Sequence, residues 1–306
     1  MNVASPEPGT PAVSALDPPA LAVASRYADL VALTKPRLNC LVVLTTLAGY
    51  YMGSAGYDLA RLFHTVVGTA LVAGGAAAFN QLLERDTDAL MRRTQTRPLP
   101  GRRLEPGVAG VFATALSVFG LGQLAVGVNL LAAGVAAVTL VSYVAIYTPL
   151  KRRTPLATLV GGVPGALPAV IGWAAARNSL SVEGFALFGL VFFWQMPHFL
   201  AIAWMCRDDY ARAGLPMLPV VEPSGRSTGI QVVLYAATLI PVSLLPSLLG
   251  LTGRWYLAGA LLLGLAFLAL GVEFARRRND VSARRLFFAS ITYLPLVLGL
   301  LLGNRA

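Results

Sequence analysis

Long, uninterrupted apolar runs constrain this chain more than any other feature. A helix that crosses a hydrocarbon core of about 30 Å needs about 20 largely apolar residues. Nine stretches meet that length, at approximately 38–56, 63–83, 107–126, 129–148, 157–176, 184–205, 229–250, 255–275 and 286–303. Lipid admits only helices and closed barrels as spanning structures, because every backbone polar group must be satisfied internally. A barrel strand alternates apolar and polar residues, whereas Leu257 to Val272 is apolar on every face. The expected fold class is therefore all-α: a polytopic membrane protein with nine transmembrane helices in a bundle. Composition agrees, with 56% hydrophobic and 12% charged residues, against about 25–35% charged groups on a soluble surface.

A net charge of +10 fits either nucleic acid or a membrane surface, and its distribution decides between them. With loops assigned alternately to the two sides of nine spans, 20 of the 24 Lys and Arg fall on one side, within 26–37, 85–103, 151–153, 207–226 and 276–285. The other side holds only Arg61, Arg177, Arg254 and Arg305. The positive-inside rule makes the crowded side cytosolic, with the N-terminus in the cytosol and the C-terminus outside. Merging or splitting one span would invert every later loop and scatter the basic residues over both faces.

Residues 1–25 are rich in Pro, Ala and Ser, contain Glu7 and Asp17, and lack a basic segment ahead of an apolar core. They read as a disordered cytosolic tail rather than a signal peptide. Residues 26–306 read as one domain, since outer loops are very short and cytosolic ones reach only about 23 residues. Cys40 and Cys206 lack metal or redox spacing and read as packing residues. Gly161, Gly162, Pro164, Gly165 and Pro168 in the fifth span predict a kink or a close helix approach.

Polar chemistry concentrates in three cytosolic connections, a cap over one end of the bundle. In the first, Asn80, Glu84 and Asp88 are spaced i, i+4, i+8, so a continuing second helix would carry them as one stripe of oxygen donors. Carboxylate and amide oxygens suit Mg²⁺, which is commonly held by one or two carboxylates together with substrate phosphates. Arg92, Arg93 and Arg97 follow, and guanidinium forks match phosphate oxygens. Polar groups at the end of a span are costly and suggest function, whereas Arg102 and Arg103 read as solvated loop residues.

The second connection brings Trp194, Gln195, Pro197, His198 and Phe199 within an apolar span, then Asp208, Asp209 and Tyr210 at its end. The aspartates can complete a second carboxylate pole. His198 reads equally as a satisfied structural residue or as a functional intramembrane group. The third is Tyr147 to Pro155, where Lys151, Arg152 and Arg153 stand between two prolines; they read equally as phosphate ligands or as a topogenic signal. His64 lies across the membrane from these groups and reads as interfacial.

With these residues in order, the chain resembles the UbiA superfamily of intramembrane prenyltransferases, and within it the branch that farnesylates heme b. The resemblance covers all nine spans. It rests on Thr34-Lys35-Pro36-Arg37, on Asn80-Gln81 with Glu84-Arg85-Asp86 and Asp88, and on Met91 with Arg93-Thr94 and Arg97-Pro98. Tyr147-Thr148 with Leu150-Lys151-Arg152, Trp194-Gln195 with Pro197-His198-Phe199, and Asp209-Tyr210 with Pro216-Met217 complete it. Glu84 stands where the superfamily often has Asp, and Asp208-Asp209 has no carboxylate four residues away, which leaves open which aspartate binds metal.

The resemblance implies that Asn80, Glu84, Asp88 and one or both of Asp208 and Asp209 hold Mg²⁺ with farnesyl diphosphate. Arg93, Arg97 and Lys151 would neutralise the departing diphosphate. Arg37, Arg92, Tyr147, Arg152, Gln195, His198 and Tyr210 would contact substrates, with heme b as the acceptor and His198 as its axial or polar partner. It further implies a product that feeds heme A synthase or terminal oxidase assembly, while the lack of an Arg-rich transit segment favours a bacterial inner membrane. Two other readings share the same loops: prenyl transfer to an aromatic ring such as 4-hydroxybenzoate, and transport of an anionic lipid or porphyrin. The intramembrane His198 speaks against a small phenolic acceptor, and diphosphate release separates enzyme from transporter.

Overall fold

The computed structural model describes residues 26–56 and 58–306; the expected tail lies outside the described residues. Among the described residues helices are the only regular elements, apart from one isolated bridge between Thr252 and Arg305. Eight segments are each long and apolar enough to cross a membrane, and a bent helix pair makes the ninth.

That pair is α1 (Arg26–Leu33) and α2 (Pro36–Gly53), which meet at 45°. Proline at the first turn of α2 cannot donate to the preceding turn and disfavours helical geometry at the residue before it. Lys35 accordingly takes φ 48, ψ 62 in the left-handed region. The helix before the first span was not legible from hydropathy, because α1 exposes Tyr27 and Val31 while burying only Asp29 and Leu33.

The second span is longer than its apolar stretch. Helix α3 (Leu59–Ala89) starts at the Asp58 cap, which accepts from the Arg61 amide, and runs 31 residues, or about 46 Å at 1.5 Å per residue. Its last turns project beyond a hydrocarbon core and carry the polar stripe. Helices α4 (Pro106–Gly127) and α5 (Leu130–Val141) follow, and α5 continues through a π turn (Ser142–Tyr147) into α6 (Thr148–Leu150). Then come α7 (Ala157–Arg177), α8 (Val182–Met205), the short α9 (Arg207–Arg212) and α10 (Leu218–Val221), and the closing α11 (Arg226–Leu248), α12 (Arg254–Arg277) and α13 (Asp280–Gly303).

Small residues set the packing, as expected where lipid offers no hydrophobic drive between helices. The Gly161–Pro168 segment does not break α7, which contains Pro164 and Pro168. Instead α7 lies against α2, where Gly172 meets the Thr46 carbonyl and Gly49 meets the Ala169 carbonyl so closely that a Cβ at either would overlap backbone. Helices α3 and α4 meet in the same way through Gly75 against Ala113 and Gly120 against Gly68. The main core of Trp173, Trp194, Phe267, Phe274, Tyr256 and Tyr293 fills the other half of the bundle. Two polar tips inside it find carbonyls, Trp194 donating to Ser290 (2.8 Å) and Tyr256 to Ser243 (2.7 Å), whereas Trp173 Nε1 and Tyr293 Oη are buried without a hydrogen-bond partner among the described residues.

Contacts across the bundle ends match the charge parity. At one end lie three pairs, the Arg92 amide with Asp209, Lys151 with Glu84, and Arg207 with Asp280. At the other, Arg305 donates to the carbonyls of Tyr51 and Ser54. Gly172→Ala should lower the detergent-solubilised melting temperature by the equivalent of about 1–3 kcal/mol or more, the usual cost of overpacking. Gly299→Ala, where a Cβ meets nothing within 4 Å, should leave it nearly unchanged. Equal melting of the two variants would remove the close-approach account of α2 and α7.

Candidate active site

The last turns of α3 place Asn80, Glu84 and Asp88 on one face, and all three are buried, at 2%, 6% and 1% exposure. Unpaired charges there would be prohibitive, and each side chain is met by a cation from a different segment. Lys35 Nζ, delivered by the left-handed link between α1 and α2, donates to Asn80 Oδ1 (2.9 Å). Lys151 Nζ, just past α6, lies 2.8 Å from Glu84 Oε1 and 3.0 Å from Oε2. Arg97 Nη1 bonds Asp88 Oδ2 at 2.6 Å.

The π turn aims this end of α5 and α6 at α3. Asn80 Nδ2 donates to Thr148 Oγ1 (3.1 Å), whose hydroxyl donates to the Tyr143 carbonyl (2.9 Å). The Tyr147 ring lies 5.5 Å from Lys151 Nζ. Burial works against the Lys151 charge, but the Tyr147 phenol and the Glu84 carboxylate beside it outweigh that penalty and hold its pKa above that of an ordinary lysine. Lys151 is therefore a fixed cation.

The α9 segment closes the site from the other side. Asp209 accepts from the Arg92 and Arg93 amides (3.3 and 3.4 Å) and pairs with Arg212. Asp208 is exposed on another face of α9, with no hydrogen bond or ion pair among the described residues, so of the two aspartates only Asp209 faces the cluster. Tyr210 packs beside a small apolar cap of Met91, Ala213, Leu215 and Met217. Burial raises the Tyr210 pKa, with Arg93 and Lys151 acting the other way.

Other expected residues are placed differently. Arg152 donates to the Leu83 carbonyl (2.9 Å), and Arg37, exposed in the first turn of α2, makes no ion pair among the described residues. Arg92 reaches the cluster through its amide rather than its side chain. Gln195 is buried and donates to the Gly162 carbonyl (2.7 Å), tying α8 to α7 apart from the carboxylate row. His198 lies between Trp194 and Phe287, with ring centroids at 5.4 and 5.1 Å. Its Nδ1 is 2.7 Å from Ser290 Oγ, whose own hydroxyl donates to the Phe287 carbonyl. Ser290 thus accepts from Nδ1–H, which leaves Nε2 of the neutral ring with a lone pair.

Two participants were missed. Lys35 stands 45 positions from Asn80 in sequence, and the Thr34-Lys35-Pro36-Arg37 motif that contains it does not mark it as a partner of the α3 stripe. Arg103 is not a solvated loop residue: its guanidinium pairs with the buried Asp29 at 2.9 Å and donates to the Thr96 carbonyl (3.0 Å), pinning α1 to the loop that carries Arg97. Gln81 adds a bond to the Leu33 carbonyl (2.8 Å).

The oxygen donors suit a hard divalent cation, but among the described residues no three His, Cys, Asp or Glu side chains form a ready cage. Donors spread along one helix and matched by cations fit a metal whose shell is completed by phosphate oxygens, the usual state of Mg²⁺.

The sequence model of the UbiA prenyltransferase family matches residues 42–292. The chain is 52% identical over 287 residues to the protoheme IX farnesyltransferase of Solibacter usitatus (strain Ellin6076), covering 90% of this chain and 98% of that one. It is 48% identical over 267 residues to the protein of the same name from Myxococcus xanthus (strain DK1622), covering 87% and 90%. Its fold is similar to that of a structure from work on digeranylgeranylglyceryl phosphate synthase in membranes, with TM-score 0.74 at 17% identity over 91% of this chain and 98% of that one. It is also similar to a UbiA homolog from Archaeoglobus fulgidus bound to DMAPP and Mg²⁺, with TM-score 0.65 at 15% identity over 89% and 99%. A family match across most of a nine-span chain, with its polar motifs gathered at one end of the bundle, leads to one conclusion: the chain belongs to the UbiA prenyltransferase family.

Proposed function

We propose that this protein transfers the farnesyl group of farnesyl diphosphate to the 2-vinyl group of heme b, releasing diphosphate and giving heme O. The observation that carries the reading is the buried row Asn80, Glu84 and Asp88, matched one to one by Lys35, Lys151 and Arg97. The names of the relatives from Solibacter usitatus and Myxococcus xanthus support farnesyl and heme as the substrates.

In this reading Asn80, Glu84, Asp88 and Asp209 would hold Mg²⁺ together with the diphosphate, and the metal would supply charge withdrawal from the leaving group. Lys151 and Arg97 would then exchange their carboxylate partners, and Lys35 its Asn80 amide oxygen, for phosphate oxygens, and Arg93 adds a guanidinium that has no ion pair among the described residues. The carbon–oxygen bond breaks with its electron pair on the diphosphate. The fixed cations Lys151, Arg97 and Arg93 stabilise that developing charge where it appears, the largest contribution in such chemistry. The allylic cation is attacked by the terminal vinyl carbon, and the cation left on the inner vinyl carbon takes up water and loses a proton. Apolar walls keep water from the allylic cation until the new bond has formed.

His198 serves heme b through its free Nε2, a neutral imidazole nitrogen of the kind that ligates haem iron. The reaction runs in the inner membrane of a bacterium, with the N-terminus and the polar end in the cytoplasm and the C-terminus outside. The skew of 20 of 24 Lys and Arg to that end supports this orientation. Residues 26–306 act as one domain, and the product passes to a downstream heme-modifying enzyme or oxidase.

Purified protein given heme b, farnesyl diphosphate and Mg²⁺ should release diphosphate and form a heme heavier by farnesol, read by mass spectrometry. Chelation of Mg²⁺ should stop the reaction, and Glu84→Gln should slow it by about 10²- to 10³-fold. Prenylation of aromatic acids alone would overturn heme as acceptor, and substrate movement without diphosphate release would mean transport. His198→Ala should abolish the Soret shift on heme addition while farnesyl diphosphate still binds; an unchanged heme spectrum would remove His198 as the ligand.

A further inference from the structure

The cytosolic end of α12 and α13 carries a basic cluster that the proposed chemistry does not use. Arg276, Arg277, Arg278, Arg284 and Arg285 are all exposed there. Glu273 engages Arg277 (3.3 Å) and Arg285 (2.8 Å), and Asp280 engages Arg207 (2.6 Å). Arg276, Arg278 and Arg284 are left without an ion pair among the described residues. Because α13 starts at Asp280 rather than near 286, Arg284 and Arg285 stand on its first turns instead of in a loop.

Beside them runs a groove of about 630 Å³ lined by Leu270, Asp280, Val281, Arg284, Arg285 and Phe288. Phe288 lies one turn beyond Arg284 toward the bilayer, and Leu270 lies two turns down α12 from Arg277, so an apolar floor continues from the charged rim into the hydrocarbon. Phe288 and Val281 are each 61% exposed. Topology alone accounts for arginines at this face, but not for a shaped apolar channel leading away from them.

We propose that this groove binds an anionic glycerophospholipid. Arg284 and Arg285 take the headgroup phosphate and one acyl chain lies along Phe288 and Leu270. The charge complements the unpaired guanidinium of Arg284, with Arg285 shared between the headgroup and Glu273, and the depth suits a diester at the interface. A soluble phosphate would leave the floor unused, and a zwitterionic lipid would bring its own cation to an already basic rim.

The test uses the full-length protein in zwitterionic detergent and native mass spectrometry with palmitoyl-oleoyl phosphatidylglycerol or the matching phosphatidylcholine. Wild type should retain one phosphatidylglycerol at least about fivefold more tightly than phosphatidylcholine, the worth of one interfacial charge, and about 0.5 M salt should erase the difference. Arg284→Gln should lose about that factor, Arg284→Lys should keep most of it, and Arg254→Gln at the opposite end should match wild type. Equal retention of the two lipids by wild type, or full retention by a folded Arg284→Gln, would overturn the proposal.

Discussion

Carboxylates buried at the end of a membrane helix need neutralisation, and the polar end of this bundle is organised around that requirement. Taking one charge out of water costs several kcal/mol, about as much as the whole stability of many domains. The two carboxylates on α3 therefore draw two cations, from the end of α6 and the loop before α4, and the amide between them and the bundle is met by Lys35 from the α1–α2 link. The helices hold these segments within reach, and the ion pairs in turn tie the segments together. Each pair is thus a structural bond and, in the proposed reaction, a position where phosphate oxygens take the place of the present partner.

Much of the architecture was legible because lipid simplifies the code. Apolar length alone marks a span, and the parity of basic residues checks the count, so the nine stretches reappear with shifts mainly at their ends. The ends shifted where helices continue on polar residues, as at Arg85 to Ala89 of α3 and Asp280 to Arg285 of α13, since hydropathy falls there while helical geometry persists. The Asn80, Glu84 and Asp88 stripe was readable from its i, i+4, i+8 spacing, which follows from helix geometry.

The residues that resisted reading are those defined by distant partners. Lys35 acquires its place from a bend that puts it beside Asn80, and Asp29 acquires its place from Arg103, 74 positions away. No local pattern encodes such pairings. Gln195 shows the reverse: an amide in an apolar span invites a ligand role, yet its donor is taken by Gly162, and Gly165 leaves it room to close against α7. Choosing between Asp208 and Asp209 needed the direction of α9, which adjacent positions about 100° apart on a helix make decisive.

The π turn at Ser142–Tyr147 has a consequence for how the fourth span divides its labour. A π turn accommodates about one extra residue per turn, so the α6 end is rotated relative to the lipid-facing α5 below it. Membrane anchoring and aim toward Glu84 thereby become independent variables in a single rod. The bilayer sets the azimuth of one half, while the widened turn sets the azimuth of Thr148 and Lys151 in the other.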